Sequence, residues 1–468
     1  MTHGDDSHDS HDDHGRHRTH EHGADRSRDH GRHRTHDHGA TDDDVDPGVA
    51  ESARKLVGGA GWRNPSETAR TSGLSRREFM KESGLASLVA AGVGSTAGCL
   101  GGAEGDGPPT AEIGYLPITD SAPLLTGYAN DYFADHGVDA AEPTLFRGWS
   151  DLAEAFLSGE VNVAHFLMPM TVWMRYGDEL DANVNVVAWD HTDGSALTVR
   201  PEIGGWDDLG GGTVAVPFWY SIHNVILQIG LREHGLTPRT DSSADEVADD
   251  EVNLVVTPPP DMPAALNNGS IEGYIVAEPF NAIGELDAGG KILRFTGDIW
   301  REHACCVVVM REELVEAHPE WTTDVMSGLV DAQQYLRANR SEAAELLSNE
   351  GTGLLPQGTK PINRALTHYA DHEPYLESGA IRNEEWDTER IGFYPYPYPS
   401  YTEELVRRMR ETRVEGEDAF LDDLDPETVA DDLVAYDPIR TALEGAGGPP
   451  AFDVSEDDGY ERRETIRF

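Results

Sequence analysis

The segment Thr119–Ala122 carries residue types that could hold a small anion. Thr119, Asp120, Ser121 and Ala122 follow a β-branched run and precede a predicted helix over Leu124–Phe133. Free backbone N–H groups at a helix start and the helix dipole both attract negative charge. The sequence therefore predicts an oxyanion seat built from the Thr119 and Ser121 side chains and the backbone amides around Ala122.

Two histidines could add hydrogen-bond donors to the same ligand. Ser221 is predicted to cap a helix, and His223 falls in the first turn of that helix, where a ring N–H and backbone donors can converge. The alternative is that His223 only packs against Trp219 and Tyr220. His165 ends a predicted strand and points either into a cleft or into a core hydrogen bond.

The sequence holds three cysteines, Cys99, Cys305 and Cys306. They cannot form a disulfide framework, because adjacent cysteines are too constrained for an ordinary bridge. Cys305 and Cys306 lie in the apolar run 304–310. We therefore expect them to be small buried apolar residues.

An α/β pattern positions these residues. Short β-branched runs alternate with amphipathic stretches from Pro109 to Asp437, which favours α/β architecture. The predicted strands are Ala111–Ile118, Val161–Leu167, Val184–Trp189, Thr213–Pro217, Val252–Thr257 and Ile271–Val276. Val325, Leu329, Ala332 and Leu336 recur at helical spacing.

The length of this region exceeds one core, so two lobes are expected. The predicted first lobe comprises residues 109–200 and 301–440, and the second comprises 201–300. Chain crossings are predicted at 204–212 and 296–303, and residues 441–468 are predicted to be a loosely held acidic tail.

Residues 75–99 indicate export. Ser75–Lys81 reads Ser-Arg-Arg-Glu-Phe-Met-Lys and precedes the apolar, small-residue run Gly84–Ala97, which is typical of a twin-arginine signal. Small residues then lead to Cys99, so we expect a lipid-anchored protein on the extracellular face of the membrane. The alternatives are a chance Arg pair ahead of a buried helix, and cleavage without acylation.

Charge indicates the environment. The chain has 86 Asp plus Glu against 36 Lys plus Arg, a net charge of −50. Such acidity suits molar salt, where self-repulsion is screened, so a halophile is predicted. It argues against a nucleic-acid partner, because phosphate backbones would be repelled.

The first forty residues contain a repeated His, Asp and Gly segment, 13–24 and 29–40. This composition could bind zinc, nickel or copper loosely but cannot build a core. We expect residues 1–74 to be a disordered leader removed with the signal, or the product of an upstream start codon. The alternative is a His-rich metal-binding surface protein.

The chain resembles the nitrate/sulfonate/bicarbonate class of ABC-importer substrate-binding proteins, in particular its nitrate- and bicarbonate-type branch. The matching segments are Ile113–Leu124, Trp149 with Leu152 and Gly159, Ala164–Met170, Ser221–Asn224, Val252–Leu254 with Pro258–Pro259, Ala277–Asn281 and Ile299–His303. The resemblance implies a type II periplasmic-binding-protein fold, in which two α/β lobes joined by a hinge hold the ligand in a cleft.

The resemblance also implies roles for particular residues. Trp149 would wall the cleft, although a single Trp is also common in a core, and His223 would contact the anion. Glu278 would serve as a hinge residue, a helix cap, a partner of an Arg, or a ligand of calcium accompanying the solute. Arg301 stands near a basic anion contact of the family, but the following residues 304–306, Ala-Cys-Cys, depart from the Pro-Glu-Lys usual there. Ser195 stands in the segment 194–196 where nitrate binders carry Gln. These departures from the family pattern put nitrate itself in doubt.

The predicted function is a non-enzymatic receptor that closes on a small oxyanion or small polar organic solute and delivers it to an ABC permease and its ATPase. No cofactor is expected apart from the possible calcium. The alternative of another class is a protein resembling the thiamine-pyrimidine synthases, or a pyrimidine-precursor binder. Such enzymes need a cofactor or a self-sacrificing His and a Cys-rich iron motif, for which the sequence shows no cluster.

Overall fold

The computed structural model describes residues 108–468, except 179, 181, 242–246, 368–371, 387–388, 390 and 456–458. All of them belong to one compact unit, Ser72–Phe468. The predictions about the leader, the export signal, the His-rich repeat and Cys99 lie outside the described residues. Among the helices that the structure describes, none is long and apolar enough to cross a membrane.

Strands and helices alternate along the chain, as the pattern predicts. The strands are β1 (Ile113–Tyr115), β2 (Thr144–Leu145), β3 (Val163–Leu167), β4 (Val184–Trp189), β5 (Thr192–Asp193), β6 (Ser195–Val199), β7 (Thr213–Val216), β8 (Thr237–Arg239), β9 (Glu251–Val256), β10 (Gly273–Ala277), β11 (Lys291–Phe295), β12 (Cys306–Arg311) and β13 (Ile391–Gly392). The helices are α1 (Ala122–Ala129), α2 (Tyr132–Asp135), α3 (Trp149–Ser158), α4 (Met168–Tyr176), α5 (Ile222–Glu233), α6 (Met262–Asn267), α7 (Phe280–Asp287), α8 (Glu312–Ala317), α9 (Pro319–Ala338), α10 (Arg340–Leu347), α11 (Thr359–Thr367), α12 (Glu373–Ser378), α13 (Pro399–Met409), α14 (Pro426–Leu433) and α15 (Tyr436–Gly445).

The strands form two main sheets, one for each lobe. The first has the order β2-β1-β3-β12-β4, with β12 antiparallel to both of its neighbours. The second has the order β11-β6-β10-β7-β9-β8 and is parallel from β10 to β8. The apolar strands of both sheets are buried beneath helices, which explains their near-continuous hydrophobic runs.

The chain crosses between the lobes at residues 190–194 and 296–305. It leaves the first sheet after Trp189 and enters the second at Ser195, and it returns between Phe295 and Cys306. The first crossing is therefore not at 204–212 as predicted, because β6 already pairs with β10 and β11 in the second sheet. The returning crossing includes the predicted 296–303.

Local sequence sets several helix ends. The Ser221 side chain accepts a hydrogen bond from Asn224 N and caps α5, as predicted. Asp131 adopts a left-handed φ of 60° and divides the predicted helix Leu124–Phe133 into α1 and α2. Gly159 ends α3 at φ 83°, a conformation that favours glycine.

The predicted buried face of α9 is confirmed. Val325, Leu329, Ala332 and Leu336 are all fully buried. Helical spacing therefore located this core face correctly.

The carboxyl-terminal segment is not the loosely held tail that its polarity predicts. Arg301 N donates to Thr465 O at 3.0 Å, and Arg467 N donates to Ile299 O at 2.8 Å. The guanidinium of Arg462 lies 4.8 Å from the Trp189 ring centre. The segment is held because its arginines find backbone and aromatic partners on the returning crossing and the first sheet.

The aromatic-proline run 393–401 packs against the core. Its five aromatic rings are buried: Phe393, Tyr394, Tyr396, Tyr398 and Tyr401.

Candidate functional site

A buried polar cluster occupies the junction between the two lobes. We call it the junction cluster, and it consists of Asp120, His191, Ser195, His223, Cys305 and Cys306, each at most 1% exposed. Asp120 follows β1, His191 and Cys305 lie on the two crossings, and His223 begins α5 above the second sheet. Because both lobes and both crossings contribute, any ligand held here would couple the lobes.

An acid and a histidine form an ion pair within the junction cluster. His191 Nε2 lies 2.8 Å from Asp120 Oδ2. Burial raises the pKa of Asp120 to about 6, although His191 opposes the rise. Burial also disfavours the charged form of His191, but the Asp120 carboxylate holds the pKa of His191 well above its usual range. Asp190, beside His191, has a pKa raised well above its ordinary value by burial.

The two cysteines contribute polar contacts that the sequence did not reveal. Cys305 Sγ lies 3.4 Å from Asp120 Oδ2, 3.7 Å from His223 Nε2 and 3.8 Å from Cys306 Sγ. Burial opposes a Cys305 thiolate, yet Cys306 and His223 hold its pKa well below the usual value. Burial and then Cys305 raise the pKa of Cys306. The cysteines are buried as expected, and both sulfurs also lie within 3.7 Å of a carboxylate oxygen of Asp120.

The predicted histidines lie at the junction in different ways. His223 Nε2 is 2.9 Å from Ser195 Oγ, so His223 does more than pack against Trp219 and Tyr220. The His165 ring lies edge-on to Trp149 with ring centres 5.5 Å apart, and burial lowers the pKa of His165 to about 3. His165 is therefore neutral at ordinary pH and offers one ring donor and one acceptor.

Several buried polar atoms around the junction have no hydrogen-bond partner in the part of the chain that the structure describes. They are Thr119 Oγ1, Asp120 Oδ1, Trp149 Nε1, both ring nitrogens of His165, both carboxylate oxygens of Asp190, and His223 Nδ1. Buried polar groups are nearly always paired in native proteins. Their concentration here indicates a place that receives a polar ligand.

The predicted amide seat for an anion is wrong. Thr119 N donates to Glu278 O at 2.8 Å, Ser121 N donates to Ile118 O at 3.3 Å, and Ala122 N donates to Thr119 O. The last two bonds close the short helical turn 119–121, and the first ties Thr119 to the end of β10, so these three amides are not free for an anion. The Ser121 hydroxyl also donates to Ile118 O.

Of the two charged residues from the sequence prediction, Arg301 stands apart from the junction cluster, whereas the backbone of Glu278 bonds to Thr119 and Gly194 beside it. The Arg301 side chain is 42% exposed and lies beside Glu302, so it does not enter the buried cluster. Glu278 Oε2 accepts a hydrogen bond from Ala282 N at 2.9 Å, which matches the predicted helix-capping role.

Sequence reasoning missed His191, Cys305 and Cys306 as site residues. The signals were a polar Asp-His pair directly after the buried strand β4, and a His-Ala-Cys-Cys sequence that enters β12. Antiparallel insertion of β12 between β3 and β4 brings these segments together.

Comparison with known proteins shows the family. The model of the NMT1-like family matches residues 104–348, more than half of the chain. The chain belongs to the NMT1-like family. Its described part is also similar in fold to the periplasmic nitrate-binding protein NrtA of Synechocystis, at a TM-score of 0.61, 19% identity, and coverage of 77% of this chain and 94% of that one.

Other relatives support the same fold. A zinc-bound ligand-binding component of an ABC-type import system from Staphylococcus aureus gives a TM-score of 0.55 at 21% identity, over 71% of this chain and 98% of that one. The nitrate/nitrite binding protein NrtA of Nostoc is 24% identical over 62% of this chain and 68% of that protein. The bicarbonate transport ATP-binding protein CmpC of Synechocystis is 26% identical over 48% of this chain, and the match spans only 34% of CmpC. The predicted periplasmic-binding-protein fold class is confirmed.

Proposed function

We propose that this chain is the solute-binding component of an ABC importer and holds a small polar solute at the junction of its lobes. The observation that carries the proposal is the junction cluster, where buried polar side chains from both lobes and both crossings converge. Among the described residues, Asp120 Oδ1, His191 Nδ1 and His223 Nδ1 there have no hydrogen-bond partner. The family, the fold and relatives named for nitrate and bicarbonate transport support it. The partners in this proposal are a permease and an ATPase, and no covalent chemistry is involved.

The proposed solute class is a small oxyanion, such as nitrate, bicarbonate or a sulfonate, or a small polar organic molecule. With the amides of Thr119, Ser121 and Ala122 already paired, the side-chain donors available to such a solute are the ring N–H groups of His165, His223 and Trp149 and the Thr119 hydroxyl. A solute that failed to match them would leave buried donors unpaired, which costs about 1–3 kcal/mol for each group. Calcium beside Glu278 remains a prediction, and chelation tests it.

The proposed mechanism is hinge closure at residues 190–194 and 296–305. A solute that bonds to His165 in the first lobe and to His223 in the second would hold the two lobes together. A solute that contacts both lobes therefore shifts the population toward the closed form, which the permease would recognise.

The proposed location is the extracellular face of the membrane, after export by the twin-arginine pathway and lipidation of Cys99. The support is the sequence of 75–99 alone. Mass spectrometry of the protein recovered from cell envelopes checks it. An amino terminus at a diacylglyceryl Cys99 is expected, whereas retention of the His-rich repeat would contradict removal of the leader.

A thermal-shift screen in high salt tests the solute-binding function. Nitrate, bicarbonate, an alkanesulfonate and a pyrimidine are added separately, and a true ligand at about 100 times its Kd should stabilise the protein by about 2.7 kcal/mol. The bound solute should be recovered chemically unchanged, since a transformed product would favour the enzyme alternative. His223→Ala should abolish the shift, while His234→Ala, at the other end of α5, should retain it.

A further inference from the structure

We propose that four side chains of the junction cluster bind a single thiophilic divalent metal ion of the zinc class. They are Asp120, His191, Cys305 and Cys306, whose ligand atoms all lie within 4.8 Å of one another. This inference goes beyond the proposed function, because it concerns an ion site and holds whichever solute the protein takes.

The spacing of the ligand atoms fits one tetrahedral ion. Zinc binds sulfur at about 2.3 Å and nitrogen or oxygen at about 2.0–2.2 Å, so neighbouring ligands in a tetrahedron lie roughly 3.3–3.8 Å apart. The two sulfurs are 3.8 Å apart, and Asp120 Oδ2 lies 3.4 Å from Cys305 Sγ and 3.7 Å from Cys306 Sγ. The 2.8 Å distance from His191 Nε2 to the same oxygen would open by about half an ångström on binding.

Backbone geometry explains how adjacent cysteines can serve one ion. Side chains of successive strand residues point to opposite faces. Cys305 lies in the crossing and Cys306 is the first residue of β12, so the alternation does not yet apply between them. Both sulfurs consequently approach the same carboxylate oxygen of Asp120.

Burial gives the ion an energetic role. All four side chains are fully buried, and Asp120 Oδ1 and His191 Nδ1 lack hydrogen-bond partners among the described residues. His191 can balance the Asp120 carboxylate alone, so a dry interior that also holds ionised sulfurs would need further positive charge. A bound divalent ion supplies that charge at the point where the acid and both sulfurs meet.

The donor set selects the kind of ion. Thiolate and imidazole ligands favour zinc, cobalt and copper, whereas calcium and magnesium require oxygen ligands. Because His191 and Cys305 lie on different crossings, one ion would also tie the two hinge segments together.

Cobalt(II) substitution tests the site in the full-length, reduced protein. We expect one thiolate-bound ion per chain, with thiolate-to-cobalt charge-transfer bands and the intense visible bands of tetrahedral cobalt, both removed by added zinc. The His-rich repeat contains no cysteine and cannot produce the thiolate bands. The bands should vanish in the double variant Cys305→Ser/Cys306→Ser and remain in the matched control Cys99→Ser.

A second variant separates ligand loss from misfolding. His191→Ala keeps both sulfurs and should weaken zinc binding by more than about tenfold, with the circular dichroism spectrum unchanged. The proposal is overturned if the thiolate bands are absent from the wild-type protein, or if they persist without Cys305 and Cys306. The solute screen is scored separately in the absence of added metal, so failure of one proposal is distinguishable from failure of the other.

Discussion

Gln333 of α9 fixes the start of the first crossing, and its replacement by Met should destabilise the protein measurably. Its side-chain amide donates to the backbone carbonyls of Trp189 at 2.9 Å and Asp190 at 2.8 Å. Gln333 is fully buried. Met has nearly the same length and no donor, so Gln333→Met removes both hydrogen bonds with little change in volume.

The expected magnitude follows from the two carbonyls. A buried polar group left without its partner costs about 1–3 kcal/mol, because water cannot replace the lost donor. Local movement of residues 189–190 relieves part of this cost. We therefore expect Gln333→Met to lower the free energy of unfolding by about 2–4 kcal/mol.

Chemical denaturation in high salt measures this change against a matched control. Gln334 is the next residue on α9 and is only partly buried, so Gln334→Met makes the same chemical change beside the crossing contact. The control should change the free energy of unfolding by less than about 0.5 kcal/mol. If both variants unfold at the same denaturant concentration, the role assigned to Gln333 is refuted.

Three further predictions concern pH, packing and the carboxyl-terminal segment. Burial lowers the pKa of His165 to about 3 in the folded protein, whereas in the unfolded chain His165 becomes protonated below its usual pKa. From pH 7 to pH 5 the wild-type protein should therefore lose about 2 kcal/mol of stability relative to His165→Phe. Chemical denaturation at each pH measures this loss. Gly230→Ala should cost about 1–3 kcal/mol in the same assay, because its Cβ would lie 2.3 Å from the Trp206 ring. Arg462→Leu should lower the free energy of unfolding by about 1–3 kcal/mol, because its guanidinium lies 4.6 Å from the Tyr398 ring centre.

Matched controls decide each of these. Gly205→Ala should be nearly neutral, because its Cβ would meet nothing within 4 Å. If Gly205→Ala and Gly230→Ala lowered the free energy of unfolding equally, the packing argument would be contradicted. Arg463 is exposed, so Arg463→Leu should leave stability unchanged. A stability difference between wild type and His165→Phe that is independent of pH would mean that His165 is not buried in its neutral form.

Buried strands were the most predictable part of the fold. The run Val184–Trp189 was predicted with its observed bounds, because every residue in it is buried and apolar or β-branched apart from Asn185. Strand β6 was missed because Ser195–Val199 is short and follows a polar segment. Its assignment to the second sheet depends on pairing with β10 and β11, a long-range choice that local sequence does not encode.

The sequence located two histidines of the candidate site but did not reveal the contacts that those residues and their neighbours make. His165 and His223 could be found because polar residues that end strands or begin helices tend to meet at the edge of a sheet. The junction of Asp120 with Cys305 depends on contacts across 185 positions, which spacing cannot reveal. The anion seat failed because a short helical turn consumes amides that look free in the sequence.

Calorimetric titration of the solute found by screening decides whether the junction of the lobes is the binding site. The wild-type protein should bind one solute per chain, His223→Ala should show no detectable binding, and His234→Ala should bind with wild-type affinity. Binding that survives the loss of His223 with unchanged affinity would place the solute elsewhere and contradict a receptor site at the junction of the lobes.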